Sequence, residues 1–297
     1  MRRIVTSLAR LIPNRAKEIL IGSPSNPSRI AHLIHGVLNR LPGEAFPCLP
    51  CHGLLEGYRM KVDWSRFRAF IYGNWEPEVT KAMTEVVHEG DVAIDIGAHL
   101  GYYALILSKI VGPTGRVIAF EPMPENYQVL SENIEMNRCK NVQIKNMAVS
   151  NRSGRCEGIP PAKTNSGTFS LITQESSNTI EVNATSLDEY LSNWNRPINF
   201  IQMDVEGAEG MVVEGARKTI EAYYPVLLVE VHHFDSSLEA SPFPGQLMEL
   251  GYDLTWLSKC DITSHVLATW NGRKKSGRSQ ASLRVCGEKI ADSRHNE

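Results

Sequence analysis

Hydrophobic and polar positions alternate along this chain in two periods, and the switching between them predicts the fold. Five apolar runs read as strands: VAID, RVIAFE, NVQIKNMAVS, INFIQMDVEG and PVLLVEVHH. Between them lie helical patterns. The segment after the first strand, YYALILSK, is mostly apolar, as suits a helix packed on a sheet, and PMPENYQVLSENIEMNR places Tyr127, Leu130, Ile134 and Met136 at helical spacing. LDEYLSNW predicts a short helix and AEGMVVEGARKTIEAYY a single longer one. Upstream, GYRMKVDW suggests a strand and RAFIYG a short apolar element. NWEPE then opens a helix with Pro77 in its first turn, Glu76 and Glu78 at its positive end, and Val79, Met83, Val86 and Val87 on one face. TIEVNATSL alternates as a strand; downstream come a helix stub, GQLMELGY, and two further strands, YDLTWLS and SHVLATW. Strands alternating with helices and closed by a strand pair predict an α/β, Rossmann-like fold: a doubly wound, mostly parallel sheet with an antiparallel terminal strand pair.

The organisation has three parts. Residues 1–55, interrupted by Pro13, Pro24, Pro27, Pro42, Pro47 and Pro50, read as an N-terminal extension; 56–270 form the domain; 271–297 form a basic, flexible tail. Charge sharpens this division. Residues 1–20 carry five Lys/Arg against one acid and the tail seven against three, so a chain of net charge −2 has an acidic body. An acidic body without a basic stripe argues against a nucleic-acid substrate. Ile4, Leu8, Leu11 and Ile12 recur at helical spacing beside Arg3 and Arg10, which allows weak peripheral membrane contact, though packing on the body is the simpler reading. No apolar run approaches the roughly 18 residues needed to cross a bilayer. The six cysteines form no small-scaffold framework, so free thiols and a cytoplasmic location are expected. Cys48, Cys51 and His52 match a c-type haem attachment signature, but the N-terminus shows no clear export signal, and coincidence is the better reading.

The candidate chemistry begins at 95–101, Asp-Ile-Gly-Ala-His-Leu-Gly, where the first apolar strand ends. The loop lacks the G-x-G-x-x-G spacing that seats a pyrophosphate on a helix N-terminus, and Asp95 would repel phosphate. A carboxylate there suits a ligand with a cationic amine. S-adenosylmethionine (SAM) carries such an amine, a sulfonium, a ribose and no phosphate. Gly97 and Gly101 would let backbone approach that ligand, and Glu121, ending the next strand, is placed for ribose hydroxyls. The third strand end, with Asn146 and Ala148, would border the adenine.

These residues carry a resemblance. VAIDIGAHLGYYALILSK, IAFEPMPENYQVLSENIEMN, the strand end NMAVS and above all FIQMDVEGAEGMVVEGA resemble the FkbM-type SAM-dependent methyltransferases, over about 60–252 and in the family's order. The resemblance implies a class I methyltransferase fold with SAM over the strand ends, held by Asp95, Gly97, Ala98, His99, Gly101, Tyr102, Glu121, Pro122, Asn146, Ala148 and Asp204. It also implies O-methylation of a sugar, glycan or natural-product hydroxyl. Asp204, after the fourth strand, is the expected base or anchor near the methyl group; His232, after the fifth and beside His233, is the second candidate base, with a plain polar strand end as the alternative. Glu206 and Glu209 fit the N-terminus of the next helix. Asp204, Glu206, Glu230 and His232 could together gather magnesium, but their spacing is not a diagnostic ligand motif, so no metal ligand is assigned and a divalent cation is not favoured. The loop 165–167 is a candidate lid, and Trp75 and Glu76 a candidate pocket wall. Competing functions are a non-catalytic binding or regulatory protein, N-methylation of another acceptor, and a dehydrogenase, the last disfavoured by Asp95 and the missing glycine pattern.

Overall fold

The computed structural model describes residues 53–62, 67, 69–71, 73, 75–159, 179–232, 243–258 and 263–272, with short strand pieces of backbone elsewhere. The apolar positions at 4–12, Cys51 and His52, the loop 165–167, His233 and most of the basic tail lie outside the described residues.

The five apolar runs form the parallel heart of one sheet: β2 (Val92–Ile96), β3 (Arg116–Phe120), β4 (Val142–Lys145), β8 (Phe200–Met203) and β9 (Val226–His232). β10 (Tyr252–Lys259) and β11 (Thr263–Trp270) form the antiparallel pair. The order across the sheet is β10-β11-β9-β8-β2-β3-β4, with Arg284–Val285 adding parallel to β10. Chain order reverses between β2 and β8, so the first strand and the fourth lie side by side. Such a reversal opens a crevice at the carboxyl ends of the strands, where α/β sheets bind ligands.

Both faces of the sheet are covered, which explains why β2 and β8 are buried at every position. On one face, Ala93, Val117 and Ala119 meet α1 (Pro77–Val86), α2 (Tyr102–Val111) and α3 (Pro124–Met136) through Met83, Leu105 and Leu130. On the other, Ile94, Ile118 and Phe120 meet α4 (Leu187–Tyr190), α5 (Glu209–Gly215), α6 (Arg217–Tyr223) and α7 (Phe243–Glu249) through Leu187, Val212, Ile220 and Phe243. The strand alternation of Cβ directions divides these two cores.

Three elements depart from the sequence reading. The third strand is not continuous: β4 ends at Lys145, and Ala148–Val149 (β5) leaves for a three-stranded sheet with β6 (Gly154–Gly158) and β7 (Ile180–Thr185). Asn146 causes the separation, its amide donating to the carbonyls of Glu121 and Pro122 at 2.9 and 3.0 Å. The helix expected over 208–224 is two, α5 and α6, meeting at Ala216. Gly215 presses against 150–151, so closely that a Cβ would lie 2.0 Å from the Ser150 carbonyl oxygen. The strand expected over 57–64 is β1 (Met60–Val62). Asn133 of α3 holds that strand: its Oδ1 accepts from Lys61 N at 2.5 Å and its amide donates to the carbonyls of Lys61 and Leu100.

Candidate active site

The crevice has two halves. One is built by the ends of β2 and β3. Asp95 is fully buried, and among the described residues neither of its carboxylate oxygens has a hydrogen-bond partner. Burial first, and the nearby Glu121 charge second, push its pKa up to about 7. Gly97 N and Ala98 N both donate to the Phe120 carbonyl, and His99 N donates to Glu121 Oε2 at 2.8 Å. Met123 N donates to Glu121 Oε1 at 2.9 Å. Glu121 therefore closes the loop onto β3; burial raises its pKa to about 7 even though these hydrogen bonds favour the charged form.

Both loop glycines have a backbone reason of their own. Gly97 has φ 86°, and a Cβ would fall 1.8 Å from the Asp204 carbonyl oxygen. Gly101, at the start of α2, has φ 93° and packs against Leu130. His99 occupies a left-handed conformation and is kept neutral by burial, which lowers its pKa to about 4. Its ring meets Phe67 edge-on at 4.9 Å, and Tyr102 stacks on Phe70 at 4.7 Å. Trp75 packs edge-on against Phe70, so it belongs to this aromatic wall. Asn146 is tied to Glu121 and Pro122, just past the end of β3, by the two hydrogen bonds already described. Ala148 is placed differently from the simple strand-end expectation: it is buried against Met123, Val182 and Ala184 in the side sheet.

The second half gathers at the ends of β8, β9 and β11. Asp204 N donates to the Ile96 carbonyl, joining this half to the first. Glu206 and Gly207 both take positive φ, making a tight turn into α5. That turn delivers Glu209, 1% exposed, whose Oε1 accepts from Gly207 N at 2.9 Å and lies 3.0 Å from His232 Nδ1. A carboxylate only accepts, so Nδ1 carries the ring hydrogen and Nε2 faces the crevice. Nε2 lies 3.3 Å from Glu206, 3.8 Å from Glu230 and 3.9 Å from Asp204. The four residues considered for magnesium thus do converge.

Two more residues join them. His265 sits opposite Glu230 in the β9–β11 register, with Nε2 3.2 Å from Glu76 Oε2 and 3.7 Å from Glu230 Oε2. The Tyr103 hydroxyl donates to the same Glu76 oxygen. Glu76 is the N-cap residue of α1, but it holds φ 43° and makes no side-chain cap bond; its carboxylate turns to His265 and Tyr103 instead. Glu209, expected only to favour a helix N-terminus, instead orients His232. Nothing local in the sequence marks His265; only the pairing of β11 with β9 brings it here.

Electrostatics divides the protons among these groups. Burial, then the carboxylates of Glu230, Glu206, Glu76 and Glu209, raise the Asp204 pKa well above the usual range. Glu230 moves the other way: burial would raise it, but His265, His232 and Asp204 outweigh that and lower it. Burial would likewise lower both histidines, yet the surrounding carboxylates raise His232 and bring His265 to about 9. The crevice therefore offers a partnerless acid at one end and an oriented imidazole within an acidic cluster at the other.

A hexuronic acid methyltransferase, AglP of Haloferax volcanii, is 28% identical over 158 residues, 53% of this chain and 62% of that protein. A protein-L-isoaspartate O-methyltransferase of Methanothrix thermoacetophila is 30% identical over 70 residues, 23% of this chain and 33% of that one. The chain thus spans less than two thirds of either relative. The crystal structure of methyltransferase FkbM from Methylobacillus flagellatus KT aligns at 16% identity with a TM-score of 0.42, over 67% of this chain and 52% of that one. Among the described residues, no helix is long and apolar enough to cross a membrane. The methyltransferase FkbM domain family matches residues 95–261, more than half of the chain, and the protein belongs to that family.

Proposed function

We propose that this protein is a SAM-dependent O-methyltransferase acting on a hydroxyl of a sugar, glycan or related natural product. The observation that carries the donor is Asp95. A fully buried carboxylate with both oxygens unpartnered is costly, and a cationic amine seated against it would offset that cost. Glu121, two strand ends from Asp204, suits a ribose diol, while His99 and Tyr102 wall the loop. When bound, SAM supplies a methyl group activated by its sulfonium, and the transfer is an in-line displacement.

Much of the protein's work is then positioning, with an acceptor oxygen held against the methyl carbon. An alcohol is a poor nucleophile until its proton leaves, so a base is needed. His232 is the better base of the two candidates, because Glu209 fixes its ring and leaves Nε2 toward the crevice. Asp204, pushed toward its protonated form by burial and its acidic neighbours, serves as the anchor that hydrogen-bonds the acceptor. The relative named for hexuronic acid methylation supports a sugar acceptor over an amine.

Calorimetry with SAM, its demethylated product and NAD tests the donor: SAM and its product bind, and binding of NAD alone would overturn the reading. Asp95→Ala abolishes SAM binding. His232→Gln keeps SAM binding but lowers methyl transfer to uronic-acid oligosaccharides by roughly 10²–10⁴-fold, measured with labelled SAM. Unchanged turnover would remove His232 from the chemistry.

A further inference from the structure

We propose that Glu76, Glu230 and His265 bind a divalent transition-metal ion such as Mn²⁺ or Zn²⁺ on the side of Glu230 away from His232. One ligand atom from each residue lies within 4.8 Å of the others. They come from three separate places, the start of α1, β9 and β11, so the fold itself brings them together. The methyl-transfer chemistry assigned above uses neither Glu76 nor His265.

Distances support the assignment. Tetrahedral bonds of about 2.1 Å put ligand atoms about 3.4 Å apart, and His265 Nε2 lies 3.2 Å from Glu76 and 3.7 Å from Glu230. The neighbouring set of Asp204, Glu230 and His232 is looser: His232 Nε2 is 3.9 Å from Asp204 and 3.8 Å from Glu230, and lies closer, at 3.3 Å, to Glu206.

A second observation points to a missing partner. His265 is 8% exposed, and its buried Nε2, though close to two carboxylates, hydrogen-bonds to neither. Its Nδ1 is 2.8 Å from Ser258 Oγ. With Ser258 on Nδ1, the Nε2 atom is aimed between two carboxylate oxygens, the place a cation would take in exchange for the Nε2 proton. An outer hydrogen bond on one ring nitrogen is also how proteins orient a histidine whose other nitrogen takes a metal. Glu76 is oriented in the same manner, by the Tyr103 hydroxyl.

One nitrogen and two carboxylate donors favour Mn²⁺ or Zn²⁺ over the all-oxygen preference of magnesium and calcium. Open positions on the ion would accept a hydroxyl or carboxylate oxygen of the acceptor. That role rests on the proposed function; the binding of the ion does not.

The test is a Mn²⁺ titration of the chelator-treated full chain without SAM, reading free Mn²⁺ by electron paramagnetic resonance. The expected result is one bound ion per chain. His265→Gln and Glu76→Gln weaken it by more than tenfold, Tyr103→Phe by roughly tenfold, and His232→Gln leaves it near wild type. Circular dichroism verifies folding; should His265→Gln unfold, Glu76→Gln at the part-exposed carboxylate decides. No Mn²⁺ bound at millimolar concentration overturns the site, as does loss in His232→Gln with retention in His265→Gln. SAM calorimetry on the same samples separates the two readings. SAM binding without Mn²⁺ binding sinks only the metal site, and the converse sinks only the methyl-donor assignment.

Discussion

Gly97 shows how one residue serves fold and function together. Its positive φ alone disfavours any side chain, but the larger constraint is the Asp204 carbonyl, 1.8 Å from where a Cβ would sit. The loop after β2 and the strand end of β8 are in backbone contact there, so the two halves of the crevice share this point. Gly97→Ala must therefore separate Ile96 from Asp204, breaking the hydrogen bond from Asp204 N to the Ile96 carbonyl. We expect a loss of about 3 kcal/mol or more in denaturant unfolding, above the 1–3 kcal/mol of backbone strain alone. A loss under about 1 kcal/mol would show that the loop can move away. Sequence reasoning found Gly97 through its motif but gave it a different cause, close approach to a ligand. It singled out Asp95, Glu121, Asp204 and His232 because each lies at or next to the carboxyl end of an apolar strand. It missed the roles of Glu209 and Glu76, and His265 altogether, because those depend on a turn with two positive-φ residues and on strand register, neither of which has a local apolar pattern.

At the scale of elements, the strands were legible because burial on both faces leaves continuous apolar runs, and the helices because their faces repeat. Breaks within an element were not. The split between β4 and β5 comes from Asn146 reaching back to the Glu121 and Pro122 carbonyls, and the break between α5 and α6 from Gly215 pressing on Ser150, contacts remote in sequence. Asn133 is a third case of this kind. It lies in the apolar face of α3, fully buried, where local pattern would call for a hydrophobic residue. Its three side-chain hydrogen bonds join α3 to β1 and to the Leu100 carbonyl of the loop after β2. Asn133→Ala leaves a buried carbonyl and a strand amide unsatisfied, at about 1–3 kcal/mol each. Thermal unfolding should therefore show a lower Tm, and hydrogen exchange should show faster opening at 60–62 and 98–101 than elsewhere. Asn133→Leu, matched in apolarity, should not rescue it. Equal exchange rates in the variant and the wild type would mean that the carbonyls find other partners.

The whole molecule carries the cost of this site as a dependence of stability on pH. Asp95 and Glu121 have ordinary values of 3.8 and 4.5, and in the folded chain both stand near 7. A folded-state pKa above the unfolded one means that the folded chain binds more protons over the interval. Stability from these two groups is therefore fully present below about pH 4 and is lost as pH rises toward 7, the reverse of a salt-bridged carboxylate. Asp95 dominates, because its value moves further from the ordinary one, whereas Glu121 receives two backbone N–H groups that favour its charged form. Replacing Asp95 with the neutral, near-isosteric Asn should raise the Tm of the ligand-free protein at pH 8 and raise it less at pH 5. The gain at pH 8 is on the order of a few kcal/mol, from about 1.4 kcal/mol for each pKa unit. The same substitution should weaken SAM binding strongly, since a cationic amine repays the buried charge only when that charge exists. SAM itself should stabilise the wild type more at pH 8 than at pH 5, by reversing a penalty that is only partly present at pH 5. Thermal melts of both proteins at the two pH values, with and without SAM, give all four comparisons. If Asp95→Asn lowers the Tm at pH 8, the carboxylate is not the strained group that the donor assignment requires, and the trade of stability for binding does not operate at this strand end.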